Sequence, residues 1–250
     1  GGMNIIRASI RFPVFVISTL ILYYTWRITS FVVPNKVLWR QTTFHNWSRI
    51  FAFIGRMEIE VIGTAPKPPF FLVCNHLSYV DIPALRLAAN GIFVAKSDIK
   101  DWFVAGPIIR NMGNVFIDRT NRRDIPRAGE EIIKKLNEHE GVIVFPEGTS
   151  TKGEDVLPFN SSFLEFASKT DLPVSYASIR YATPAGGPTP SERVCWWDDT
   201  GFLKHLWRLF SLKTFTAIIT FGEEPVSDPN RKELANHLRE KVKEKFIPML

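Results

Sequence analysis

Phe70-Phe71-Leu72-Val73-Cys74-Asn75-His76-Leu77-Ser78-Tyr79-Val80-Asp81-Ile82-Pro83 is the stretch that decides the fold class. Phe70–Cys74 is an unbroken apolar run of strand length and reads as a buried strand, while Ile82–Ala89 reads as a helix. A buried strand that passes through a polar turn into a helix is the repeating unit of an α/β domain. Such domains place functional groups where the strand runs out.

The same texture extends on both sides. Met57–Ile62, Ile92–Ala95, Asn114–Ile117, Val142–Phe145, Val174–Tyr181 and Phe215–Phe221 read as strands, and Trp102–Asn111 reads as helical despite Pro107. Ile125–Glu138 carries the clearest helical stripe, with Ile125, Ala128, Ile132, Ile133 and Leu136 on one side and Glu131, Lys134, Lys135 and Glu138 toward water. Asp124 is placed to cap it, Pro126 suits its first turn, and Gly141 stops it before the strand Val142–Phe145. A last amphipathic helix is expected over Asn230–Phe246, and Thr183–Glu192, rich in proline and glycine, is the weakly structured connector. The expectation for residues 57–250 is an α/β domain with a mixed, largely parallel β-sheet flanked by helices.

Residues 3–56 differ in kind. The chain of 250 residues has a formal charge of +6, and Arg7, Arg11, Arg27, Lys36, Arg40, Arg49 and Arg56 stand before Met57 without one acidic residue. Beyond Met57 there are 24 basic against 25 acidic residues, so the positive charge belongs to the amino-terminal part and a nucleic-acid-binding surface is not expected. That part is also the most aromatic and apolar, a combination suited to anionic lipid headgroups. Two membrane-associated helices are expected, Asn4–Phe31 and Lys36–Gly55, joined at Val33-Pro34-Asn35 and lying in one leaflet. The uncharged run Phe12–Trp26 is fifteen residues long, against the roughly 20 that a crossing needs. The other reading is a helical pair packed on its own domain. Cys74 and Cys195 lack disulfide or CxxC spacing, which points to a reducing compartment and the cytoplasmic face of the inner membrane. Gly1 and Gly2 read as an expression remnant and are set aside.

Three segments carry chemistry. In Asn75–Asp81, a carboxylate at Asp81 that holds the His76 imidazole leaves the other ring nitrogen free to take a proton from a substrate hydroxyl; Asp81 also suits the cap of the helix at Ile82. The plain alternative is a helix cap beside a satisfied turn histidine. In Phe145-Pro146-Glu147-Gly148-Thr149, after the strand Val142–Phe145, Pro146 and Gly148 turn Glu147 and Thr149 toward one spot. A five-residue match of this kind arises by chance in about 1 in 10,000 chains of this size, which makes it the most specific signal. Gly113–Arg119 is a strand ending in Arg119, whose planar guanidinium suits a phosphate; a salt bridge to Asp118, Glu147 or Asp81 is an equal reading. Lys96, just after the strand Ile92–Ala95, is a second cationic candidate.

Together these segments resemble the glycerolipid acyltransferase family, whose blocks Asn-His-x4-Asp, Gly-x-x-Phe-Ile-x-Arg and Phe-Pro-Glu-Gly-Thr occur here in order at Asn75–Asp81, Gly113–Arg119 and Phe145–Thr149. The resemblance covers roughly Val61 to Phe221. It implies His76 as base and Asp81 as its orienting group, Arg119 and Lys96 on the acceptor phosphate, and Glu147, Gly148 and Thr149 shaping the acceptor site. It also implies transfer of a fatty acyl group from acyl-CoA or acyl-carrier protein to the hydroxyl of a lysophospholipid, 1-acylglycerol-3-phosphate first. Three features depart from it or point to one branch: Pro173-Val174-Ser175-Tyr176-Ala177 keeps only the first proline of a fourth block, Asn160 stands where many members carry lysine, and Ser150-Thr151-Lys152-Gly153, Trp196-Trp197-Asp198 and His205-Leu206-Trp207 look closer to the lyso-ornithine-lipid acyltransferases.

A thioester is already activated, so no cofactor is required, and no metal-ligand spacing is present in the sequence. Backbone amides near Gly148 are candidates for the oxyanion. The rival readings are a serine esterase using Ser78 or Ser150, neither of which lies in Gly-x-Ser-x-Gly, and a non-catalytic membrane-binding protein.

Overall fold

Residues 2–249 are described, in a computed structural model; Gly1, one of the two glycines set aside above, lies outside them. In chain order the elements are α1 (Gly2–Thr29), α2 (Lys36–Gly55), β1 (Met57–Ile62), β2 (Phe70–Cys74), α3 (Asp81–Ala89), β3 (Gly91–Lys96), α4 (Ala105–Asn111), β4 (Val115–Ile117) and α5 (Asp124–Asn137). There follow β5 (Gly141–Val144), α6 (Glu165–Lys169), β6 (Ser175–Ala182), α7 (Pro190–Arg193), α8 (Phe202–Ser211), β7 (Phe215–Phe221) and α9 (Arg231–Lys245), with 3₁₀ turns at Ser97–Asp101 and Ser161–Leu164.

The strands form one sheet in the order β1-β7-β6-β2-β5-β3-β4. β6 and β7 pair antiparallel and every other neighbouring pair is parallel. Five strands therefore point one way, and the carboxyl ends of β2, β5, β3 and β4 lie side by side. Their register keeps those ends level: Val73 faces Val144 and Lys96 faces Ile117. This is the mixed, largely parallel sheet expected from the sequence.

Both faces of the sheet are covered. Along β2, Leu72 and Cys74 join one core with Phe44 and Phe51 of α2, Leu85 of α3 and Leu209 and Phe210 of α8. Phe71 and Val73 join the other with Ile132 of α5 and Leu234, Leu238 and Val242 of α9. A strand wet on neither face reads as a continuous apolar run, which is why Phe70–Cys74 carries no alternation.

Several local expectations change. Ile133 faces outward from α5, and Asp124 does not cap that helix; its carboxylate accepts the Asp118 N–H at 2.7 Å and pairs with Arg127, closing the turn before α5. The helix expected from Trp102 begins only at Ala105. Pro190–Arg193, placed in a loop by its composition, is a short helix with a capping box between Thr189 and Glu192. α8 is an additional helix: Leu206, Leu209 and Phe210 make a helical stripe too short to stand out among neighbouring aromatics.

The amino-terminal pair is present, but its members differ. α1 is 28 residues long and by length and composition is able to cross a membrane, despite the short uncharged run inside it. It is nevertheless docked along its length. Arg7 and Arg11 donate to the carbonyls of Ser211 and Leu212 at 2.7 and 2.6 Å, Trp47 reaches the Thr19 hydroxyl at 3.1 Å, and Trp39 reaches Thr29 at 2.9 Å. α2 is part of the packing of the α/β domain, with Phe44 and Phe51 buried and Arg40 paired with buried Glu140 at 2.6 Å. Three of the seven amino-terminal cations are thus spent inside the protein, because unsatisfied helix-end carbonyls and a buried carboxylate need donors. Arg27, Lys36, Arg49 and Arg56 are the ones left exposed.

Candidate active site

β2 ends at Cys74, and the next side chain clamps the turn. Asn75 donates to the Ile179 carbonyl at 3.0 Å and accepts the Ile179 N–H at 2.8 Å, so its amide acts as one more strand residue facing β6. His76 follows, with about a fifth of its side chain exposed and its ring stacked on Phe145 at 4.1 Å and 15°. Phe145 stacks in turn on Phe93 at 5.9 Å, so the imidazole plane is set by core packing.

Asp81 is fully buried. One carboxylate oxygen accepts the N–H groups of Leu77 and Ser78 at 2.7 and 3.1 Å and lies 2.8 Å from His76 Nδ1; the other accepts the Tyr181 hydroxyl at 2.5 Å. Backbone N–H groups can only donate, so this carboxyl is an acceptor on every side, and Nδ1 of His76 carries the hydrogen between them. Nε2 then keeps its lone pair. Four donors offset the cost of burying the carboxylate. Burial, and next the nearby Asp81 charge, push the Tyr181 phenol well above its ordinary range, which keeps it a donor. Asp81 does not cap α3 as its position suggests; it lies in the first turn and looks back into the loop.

After β5, Glu147 accepts the His76 N–H at 2.6 Å and the Leu157 N–H at 2.8 Å. Burial pushes its carboxyl up to about 7, opposed by those two hydrogen bonds. Both oxygens are turned to backbone, so Glu147 ties the loop after β2 to the loop after β5. Gly148 has φ of 76°, and a Cβ there would lie 2.2 Å from Arg119 Nη1. Only glycine admits both the backbone angle and the guanidinium. Arg119 donates to the Gly148 carbonyl at 3.2 Å and lies over the Phe163 ring at 5.0 Å. It makes no ion pair among the described residues, so the salt bridge read as its alternative is not formed.

His76, Asp81 and Glu147 are thus in direct contact, and Arg119 and Gly148 form a second contact one peptide away. Lys96 is exposed at the end of β3, level with Ile117, and Thr149 is exposed on the loop after β5. The Gly148 N–H donates to the Phe145 carbonyl at 3.1 Å and is therefore occupied in the ground state. Ser78 is fully buried and its hydroxyl accepts the Val80 N–H, while Ser150 donates to the Trp196 carbonyl; neither is bonded to His76. Sequence reasoning missed Asn75, Phe145 and Tyr181 as supports of His76. For Tyr181 the only available signal was an aromatic residue with a hydroxyl in a strand expected to be buried.

An outward-facing imidazole nitrogen backed by a buried carboxylate can accept a proton from a hydroxyl, and an unpaired guanidinium nearby can hold an anion. These features, at the carboxyl ends of parallel strands, define an α/β enzyme. The acyltransferase family model matches residues 56–179. The chain is 31% identical over 188 residues to the 1-acyl-sn-glycerol-3-phosphate acyltransferase of Neisseria gonorrhoeae, spanning 74% of this chain and 72% of that protein. It is 27% identical over 219 residues to the lyso-ornithine lipid O-acyltransferase of Rhizobium meliloti, covering 79% and 72%. The crystal structure of the 1-acyl-sn-glycerophosphate acyltransferase PlsC from Thermotoga maritima superposes with a TM-score of 0.70 at 25% identity over 96% of this chain and 95% of that one. The chain belongs to the acyltransferase family and is an acyltransferase.

Proposed function

We propose that this enzyme transfers a fatty acyl group from a thioester, acyl-CoA or acyl-carrier protein, to the free hydroxyl of a lysolipid, with 1-acylglycerol-3-phosphate as the principal acceptor. The observation that carries the proposal is the hydrogen bond of 2.8 Å between His76 Nδ1 and a fully satisfied, buried Asp81. His76 Nε2 takes the hydroxyl proton as the acceptor oxygen attacks the thioester carbonyl. The tetrahedral oxyanion collapses, the C–S bond breaks, and the thiolate recovers the proton from His76; ester and free thiol are the products. No acyl-enzyme is needed, because the thioester is already activated and the step requires mainly positioning of its two partners. Arg119, with Lys96, holds the acceptor phosphate, and Glu147, Gly148 and Thr149 shape the acceptor site by fixing the loops around it.

Similarity to the Rhizobium meliloti enzyme supports lyso-ornithine lipid as a second acceptor. Its carboxylate is also within the repertoire of an arginine. We place the enzyme on the cytoplasmic face of the inner membrane, held by α1 in one leaflet. The docking of α1 from Arg7 to Thr29 against the catalytic domain supports a helix that lies along the surface and does not leave it to cross. Incubation with a panel of lysolipids and both donors, read by mass spectrometry, tests the reading. Esterification of 1-acylglycerol-3-phosphate above the other acceptors is expected; release of free fatty acid alone, or no turnover with any pair, would overturn it.

A further inference from the structure

The chain leaving β3 makes an unusual tip before α4. Trp102, Phe103 and Val104 are consecutive and all exposed, Phe103 at 95%. Single exposed apolar residues are ordinary, but three in a row at a loop tip are not. The tip is also built, not loose. The Ala105 N–H donates to the Phe103 carbonyl at 2.7 Å with Val104 at φ 65° and ψ −53°. This is the strained form of the γ-turn, and a β-branched residue is seldom found at positive φ. The Gly106 N–H donates to the Trp102 carbonyl at 2.8 Å, and a Cβ on Gly106 would lie 2.2 Å from the Lys100 carbonyl oxygen. The turn is folded hard against its own stem, and the result is a phenyl ring aimed away from the domain.

Its surroundings suit a lipid surface. A cleft of about 540 Å³ separates this segment from α1, and Arg27, Lys100 and Arg110 line it against the single acid Asp101. Across the cleft, α1 contributes Leu20, Tyr23 and Tyr24 to the wall, and the same helix exposes Ile17, Ile21 and Ile28 to its surroundings. On its other side Trp102 lies 6.2 Å from Phe202, which packs at 4.8 Å on Tyr79 in the His76–Asp81 loop. Apolar residues projecting beyond a cluster of cations, continuous with a lipid-facing helix, match the layering of an anionic leaflet.

We propose that Trp102-Phe103-Val104 is a second membrane-inserting element, which enters the same leaflet as α1 and brings the mouth of the site against the lipid. The proposal rests on the reading of α1 as leaflet-bound. With α1 and this tip both inserted, the domain is held at two points, and the acceptor hydroxyl has a shorter path out of the leaflet to His76.

The test uses the full chain as Phe103→Cys, carrying an environment-sensitive nitrobenzoxadiazole label, on vesicles of phosphatidylglycerol and phosphatidylethanolamine with a quencher on the acyl chains. The native Cys74 and Cys195 are buried. The label at 103 is expected to be quenched as strongly as one on α1 at Ile21→Cys, while one at Lys232→Cys on α9 stays bright. An unquenched label at 103 on protein that floats with the vesicles would overturn the proposal and leave α1 in place. Failure to float would overturn both. A shift at 103 that depends on protein concentration without vesicles would assign the tip to a second copy of the chain and overturn the lipid proposal. Independently, Phe103→Ser is expected to lower kcat/KM about tenfold for acceptor presented in vesicles and to leave a short-chain, water-soluble acceptor within about twofold of the parent enzyme. Equal losses on both would contradict the proposal.

Discussion

The carboxyl edge of the sheet around His76 and the outer face of α1 stand in opposite relations to water. At the edge, polar groups are taken out of water and each is given a partner: Asp81 has four donors and Glu147 has two. On α1, apolar side chains such as Ile17 and Ile21 are left in the open. Neither arrangement serves the stability of the isolated domain. A buried carboxylate is costly unless fully bonded, and an exposed isoleucine contributes little. The first region holds one imidazole in one orientation, and the second is the face that the proposed function sets against an apolar phase.

Changes at the edge should act on chemistry, and changes on α1 should act on attachment. The largest expected effect is Asp81→Asn. An amide cannot accept from Leu77, Ser78, Tyr181 and His76 together, so the ring loses its tautomer and orientation. Turnover should fall about 100-fold or more. Normal kinetics in this variant would make Asp81 a mere part of the turn.

Glu147 gives a pH signature that the α1 face lacks. Its native carboxyl titrates near about 7 against an ordinary 4.5. Between those values the folded state keeps a proton that the unfolded chain has lost, so this group's contribution to stability falls as pH rises through the window and is constant above it. The change is about 3 kcal/mol at 1.36 kcal/mol per pH unit. Glu147→Gln does not titrate, so its stability relative to the parent, measured by urea unfolding, should improve from pH 4.5 to 7. A constant difference would mean that the carboxyl is not desolvated.

Arg119→Ala comes next. Loss of a charge-assisted bidentate contact should raise KM for a phosphate-bearing acceptor about tenfold and leave the donor KM unchanged. A drop in melting temperature without a KM effect would show that its place over Gly148 and Phe163 is structural. The smallest effect is that of salt on vesicle binding. With Arg7, Arg11 and Arg40 spent inside the protein, 0.5 M salt should weaken flotation only a few-fold, since the apolar contact remains. Complete release by salt would mean that the exposed face of α1 does not enter the lipid. Truncation before Met57 is a poorer test, because it would also remove buried Phe44 and Phe51 from the core.

What the sequence revealed follows the distance over which each contact acts. His76 and Asp81 share one turn, so their pairing is written in adjacent residues, and the strands that carry the blocks were legible as apolar runs. The Tyr181–Asp81 contact spans a hundred residues and exists only because β6 lies beside β2. The meeting of Arg119 with Gly148 depends in the same way on β4 and β5 flanking β3, which no spacing announces. Amino-terminal charge was legible as a total, but its use was not: whether an arginine faces lipid or a helix-end carbonyl is decided by the helix it packs against. The Trp102–Val104 tip is not legible as a tip, since its apolar residues continue into the helix that follows and only the fold shows that they project.

The account depends on one nitrogen of one side chain. Transfer of labelled acyl groups from a thioester to 1-acylglycerol-3-phosphate by His76→Ala, with the melting temperature followed in parallel, tests it most directly. We expect turnover to fall about 100-fold or more with the fold retained, since the ring is partly exposed and its loss removes the base without opening the core. Turnover near that of the parent enzyme would show that the hydroxyl is activated elsewhere and would contradict the mechanism.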